Sequence, residues 1–198
     1  LAAADAVPID LVARCCFIGE LGLDGSVRRV AGVAPMVAAL QRELPDLMPV
    51  VPEGNLAEAR VASRGDVHIV GSLRELVDVL VHGVPWPHAS IAPVDDSSPT
   101  EPDLADVRGQ TVARHALEVA AAGHHPILLA GPPGSGKTML AQRLPGLLPP
   151  LDTDASVEVT MVQSAAGLAL PPSGLVRRPP WRAPHHTASM VAMIGLGV

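Results

Sequence analysis

Aromatic residues are almost missing from these 198 residues: one phenylalanine, two tryptophans and no tyrosine. Whatever core the chain builds must come from Val, Leu, Ile and Ala. Lysine is scarcer still. Lys137 is the single lysine, so all the other Lys+Arg positions are arginine. Cysteine occurs only at the adjacent positions Cys15 and Cys16. Neighbouring cysteines pair only with strain, so no disulfide framework is available, and the thiols read as buried groups of a cytoplasmic protein. Hydrophobic residues make up 48% of the chain, yet no apolar run approaches the ~20 residues of a membrane span. A formal net charge of −6 argues against a stand-alone nucleic-acid binder driven by phosphate neutralisation, while a local basic surface stays compatible with DNA. The opening at Leu1 lacks the charged start and cleavage site of a secretory leader. We read the chain as part of a longer protein.

What is present centres on Gly131-Pro132-Pro133-Gly134-Ser135-Gly136-Lys137-Thr138. It matches the phosphate-binding pattern G-x-x-x-x-G-K-[ST] without a gap. Residues 127–130 form a short apolar run, as a buried strand should, and residues 139–144 are helix formers stopped at Pro145. Strand, glycine loop and helix are what phosphate binding needs. The glycines let successive backbone N–H groups turn inward, and the helix start adds free N–H groups and a positive dipole end. All eight residues are candidate ATP contacts. Lys137 is the candidate catalytic residue, meeting the β- and γ-phosphates, and the Thr138 hydroxyl is the candidate Mg2+ ligand. A chain otherwise without lysine has one where a compact, extendable ammonium is required.

Before this loop the pattern alternates. Residues 16–21 and 27–30 read as strands joined by the turn signal Asp24-Gly25. Val33, Val37, Leu40 and Leu44 recur at helical spacing, with Pro35 tolerated in the first turn. Residues 47–51 and 67–70 are further strands. Asn55…Glu58 and Ser72…Glu75 have capping-box spacing, and Gly83 can close the second of those helices. Asp66, His68 and His82 fit no metal-ligand spacing. Prolines at 85, 87, 93, 99 and 102 mark residues 84–102 as an interdomain linker. Beyond it, residues 111–122 read as a helix with Val112, Ala116, Val119 and Ala120 on its apolar face. Residues 157–162 alternate with period two and read as a sheet strand, and residues 163–168 could begin a short helix. Arg177, Arg178 and Arg182 flank Trp181 and are candidate DNA contacts; a structural hairpin or an intersubunit contact are the other readings. His185-His186 lacks a nearby carboxylate or cysteine to complete a metal site. The whole is α/β, with residues 1–83 and 103–198 as separate domains.

Three stretches carry family resemblances. Gly19-Glu20-Leu21-Gly22-Leu23-Asp24-Gly25-Ser26-Val27-Arg28-Arg29-Val30 and Val50-Val51-Pro52-Glu53-Gly54-Asn55 resemble the C-terminal part of a Lon-protease-like domain. That resemblance puts Met36 where an active protease has its dyad lysine, which implies a proteolytically inactive domain over residues 1–83. Asp106-Val107-Arg108-Gly109-Gln110 resembles the adenine-side segment of AAA+ ATPases. Arg182-Ala183-Pro184-His185-His186-Thr187-Ala188-Ser189 resembles a signature of the magnesium-chelatase-like YifB/ComM family. Together they imply that residues 103–198 are the start of a P-loop AAA+ domain with a mainly parallel sheet, using ATP and Mg2+. They also imply a hexameric ring when the protein is full length, working as a DNA helicase in branch migration. A chelatase-like or chaperone-like remodeller of protein is the alternative. The resemblance further implies that the hydrolytic parts beyond residue 198 are needed for turnover, so this stretch alone should be inactive.

Overall fold

The computed structural model describes residues 7–90, 102–184 and 187–188. They fall into two compact units. One is built from residues 7–90 together with 151–177, and the other from residues 102–150 with 178–184 and 187–188.

The first unit runs α1 (Ile9–Val12), β1 (Cys15–Phe17), β2 (Glu20–Leu21), β3 (Val27–Arg28), α2 (Val33–Glu43), β4 (Met48–Val51), α3 (Leu56–Ala62), β5 (His68–Ile69) and α4 (Leu73–His82). Strands β1, β4 and β5 form a parallel sheet with β4 central. Pro49 costs that sheet no ladder bond. Val50 faces β1 and Val51 faces β5, so Pro49 shares the β5 side, where pairing starts only at Val50↔His68. Successive β4 side chains go to opposite faces. Val51 and Ile69 pack with Val33 and Val37 of α2 and Leu56 and Ala59 of α3. Val50 packs with Cys15, Val70 and Leu76 of α4. The Val51 layer is wholly aliphatic and the Val50 layer largely so, as the scarcity of aromatics requires. Burial raises the Cys15 thiol above its ordinary pKa.

The hairpin forms where Asp24-Gly25 indicated. Gly25 takes φ 81°, and Asp24 Oδ1 accepts from the Ser26 N–H and hydroxyl. Those bonds hold its carboxyl below the usual range. Helix α4 has its expected start: Ser72 Oγ accepts from Glu75 N at 3.2 Å, and Glu75 Oε2 reaches back to Gly71 N at 2.6 Å. The Asn55…Glu58 box does not form. Asn55 instead pairs with the backbone of Val30, accepting from its N–H and donating to its carbonyl, and donates to Glu58 Oε1 at 2.6 Å. Both Asn55 and Glu58 are buried, and a long-range partner for each outweighs a local cap. The expected linker at 84–102 begins on this unit: Trp86 packs on the Val50 layer and stacks on His68 with 4.6 Å between ring centroids.

Residues 157–162 are not a strand. They lie inside a helix of thirteen residues, Thr153–Ala165, and residues 163–168 hold its end. Asp152 caps it, accepting from Ala155 N at 2.8 Å. Its buried face is Ser156, Thr160 and Ser164, spaced by four, so small hydroxyl residues make the contact with α2 and α3. The Thr160 hydroxyl bonds Ser156 O and accepts from Val176 N. Ser164 takes two N–H groups at the start of α2: its carbonyl from Gly32 and its hydroxyl from Ala34. Residues 151–177 therefore belong to the first unit. Gly174 closes this packing. It takes φ 76°, and a Cβ there would fall on the Ala57 carbonyl and the Glu58 amide. Gly174→Ala should lower the stability of this unit by about 2–4 kcal/mol, from left-handed strain plus overpacking. Urea unfolding followed by circular dichroism measures it, and an unchanged midpoint would contradict this packing.

The second unit contains α5 (Thr111–Gly123), α6 (Lys137–Ala141) and α7 (Leu144–Leu147); the thirteen-residue helix above is α8. Leu104, Val107, Leu117 and Leu140 form its core, with Ala113, Ile127, Leu129, Leu144 and Leu147 against them. The apolar face of α5 is centred on Leu117 with Ala120 and Ala121; Val112 is 84% exposed. Of the expected face only Ala120 is buried; Val119, like Val112, is exposed, and the helix turns Leu117 inward instead. Residues 127–130 are not assigned as a strand. Ile127 and Leu129 pack inward while Leu128 is 91% exposed. The side-chain alternation of a strand is there, but among the described residues this unit supplies no neighbour to pair with, since residues 157–162 belong to α8. Among the described residues a parallel sheet is present in the first unit and none in the second.

Candidate functional site

The loop 131–138 lies on the second unit, between the inward-packed Ile127 and Leu129 and the buried Leu140 of α6. Gly134 takes φ 77° and Gly136 φ 82°, backbone states that a side chain would strain. Ser135 N donates to Pro132 O at 3.3 Å, closing the turn, and Leu140 N donates to Gly136 O at 2.9 Å. Helix α6 spans only five residues, 137–141 rather than the expected 139–144, and Pro145 sits in the first turn of α7. The dipole of so short a helix is small. Of the features the sequence offered for holding an anion, the loop's own N–H groups then weigh more than the helix dipole.

Lys137 folds over the loop. Its Nζ donates to Gly131 O at 2.9 Å, Pro132 O at 2.8 Å and Ser135 Oγ at 3.3 Å. All three donors of the ammonium are satisfied by weak neutral acceptors at an exposed surface. Thr138, next in sequence, is exposed. One residue outside the motif also reaches the loop: Gln110 Nε2 donates to Ser135 O at 3.1 Å. The sequence marked Gln110 only as part of the segment before α5. Its spacing from the loop, 25 residues, gives no signal of contact.

Arg177 and Arg178 are consecutive residues on either side of the boundary between the two units. Arg177 belongs to the first unit, where its carbonyl accepts from Leu151 N at 2.8 Å, while Arg178 and Arg182 belong to the second. All three are exposed, as is Trp181. His185, His186 and Ser189 lie outside the described residues. Among the described residues no group of three metal-ligating side chains comes together, and no helix is long and apolar enough to cross a membrane.

Residues 103–198 match the family model described as magnesium chelatase, subunit ChlI. The chain is 46% identical over 197 residues to an uncharacterized protein of Mycobacterium tuberculosis, covering 100% of this chain and 39% of that one. It is 37% identical over 201 residues to competence protein ComM of Haemophilus influenzae, covering 100% and 39%. It is 35% identical over 203 residues to the uncharacterized protein YifB of Escherichia coli, covering 100% and 38%. The chain belongs to the magnesium-chelatase-like YifB/ComM family. It spans about two-fifths of the length of these relatives. The matches to these YifB/ComM relatives run over the residues of both units.

Proposed function

We propose that this chain is the nucleotide-binding portion of an AAA+ ATPase, the loop 131–138 holding ATP. One observation carries this: Gly134 and Gly136 at positive φ, with the Lys137 ammonium held over the loop by three oxygen acceptors. The residues fit a polyphosphate. Phosphate oxygens are stronger acceptors than the carbonyls that Lys137 bonds, so the ammonium would exchange them for the β- and γ-phosphates. Thr138 would ligate Mg2+. Bound there, the metal and Lys137 would neutralise charge on the transferred phosphoryl group.

The whole protein reads best as a hexameric cytoplasmic DNA motor. Similarity to competence protein ComM supports this, as do the exposed Arg177, Arg178, Trp181 and Arg182. Residues 1–83 are read as the Lon-protease-like part, without protease activity, since the resemblance puts Met36, 48% exposed on α2, where an active protease has its dyad lysine. A chelatase-like or chaperone-like remodeller is the second reading, favoured by the ChlI match. The test is ATP hydrolysis by the full-length protein with and without four-way branched DNA, with Lys137→Ala as the blank. The DNA reading expects several-fold stimulation that fades as salt rises. Hydrolysis indifferent to DNA would overturn it in favour of a protein substrate.

A further inference from the structure

We propose that Gln110 is a positioning residue for the nucleotide, holding the phosphate loop in its anion-accepting shape; this rests on the reading of residues 131–138 as an ATP site. Gln110 takes φ 50°, ψ 39°, a left-handed state that strains a residue with a Cβ. Gly109 before it is also left-handed, at φ 67°. The chain thus reverses sharply just before α5, and a residue other than glycine stands at the strained second position. The reversal carries the Gln110 amide to the Ser135 carbonyl, 3.1 Å away.

Gly136 is shaped to receive it. A Cβ at Gly136 would lie 2.9 Å from Gln110 Nε2, so the amide occupies space that any other residue would fill. The bond matters for phosphate because the Ser135–Gly136 peptide is planar and trans. Its C=O and N–H point to opposite edges. With the Ser135 carbonyl held by Gln110, the Gly136 N–H is fixed toward the other edge and cannot rotate away. Ser135 is gripped a second time through its hydroxyl, by Lys137 Nζ at 3.3 Å. The Gln110 carbonyl meanwhile accepts from Arg114 N at 2.9 Å. One residue therefore starts α5 with its backbone and braces the loop with its side chain.

The test separates bracing from stability. In the full-length protein, Gln110→Gly removes the amide and relieves the backbone strain. The expected result is a thermal midpoint equal to or above wild type, with the Kd for ATP raised about 3–10-fold, the worth of one hydrogen bond. Gln110→Asn tolerates the left-handed state but is too short to reach Ser135, and should weaken ATP equally. Gln110→Glu sets a carboxylate against a carbonyl and should weaken ATP more than tenfold. ATP binding unchanged in Gln110→Gly overturns this inference alone, as does a loss of affinity that merely tracks a loss of stability in both Gly and Asn variants. Failure of the wild type to bind ATP would overturn the reading of the loop, and the inference with it.

Discussion

Replacing Lys137 by alanine should reduce affinity for ATP at least 100-fold and bring hydrolysis by the full-length protein to background. The ammonium makes three bonds to the loop, and with ATP present it would exchange them for charged phosphate oxygens. A hydrogen bond between charged partners is worth about 1.5–3 kcal/mol. Losing two of them costs about 3–6 kcal/mol, which is 100-fold or more in Kd. The fold should survive, because every Lys137 bond is to its own loop and the core leucines are untouched. Lys137→Arg should rescue little, since a planar fork cannot replace a point ammonium with three acceptors around it. Titration with a fluorescent ATP analogue decides the matter. Equal affinity for wild type and Lys137→Ala would refute phosphate binding at this loop.

The second large effect concerns stability. Glu58 is 3% exposed and joins three elements. It accepts from Asn55 Nδ2 at 2.6 Å and from the Ser164 hydroxyl of α8, and Arg29 lies 3.7 Å away. Glu58→Ala would leave the Asn55 amide and the Ser164 hydroxyl short of a buried acceptor, while the half-exposed Arg29 can turn to water. The expected loss is about 2–4 kcal/mol, with α8 the first element to loosen. Glu58→Gln keeps the shape and lets the Ser164 hydroxyl rotate to suit, so it should cost less. Urea unfolding gives the free energies, and limited proteolysis reports whether cleavage begins within 151–177. An Ala variant as stable as wild type would show that the cluster is not what holds α8.

The glycine loop was legible because its chemistry dictates residue type at each place: glycines where φ is positive and a lysine where an ammonium is wanted. The start of α4 was legible for a similar reason, since Ser72 and Glu75 bond only to their own turn. Helix α8 was misread because its buried face is made of Ser156, Thr160 and Ser164. Hydrophobic periodicity looks past such residues and finds the alternation of Val157, Val159 and Met161 instead. Asp152 was the overlooked signal, a helix cap in plain sequence. Asn55 and Glu58 carried the spacing of a local cap, yet their partners lie 25 and 106 positions away. Sequence spacing does not show such contacts. Gln110 escaped for the same reason.

The return of α8 to the first unit has a consequence for synthesis. The described part of that unit ends its first stretch at residue 90 and resumes at 151, with the glycine loop between them. At about 5–20 residues per second, the roughly 74 residues from there to Ser164 take about 4–15 seconds, and the nascent sheet waits that long on the ribosome before Ser164 can reach Glu58 and the start of α2. During that interval the buried carboxylate of Glu58 is open to water and α2 has uncapped N–H groups. The glycine loop 131–138 thus emerges before the body that precedes it in sequence has finished folding.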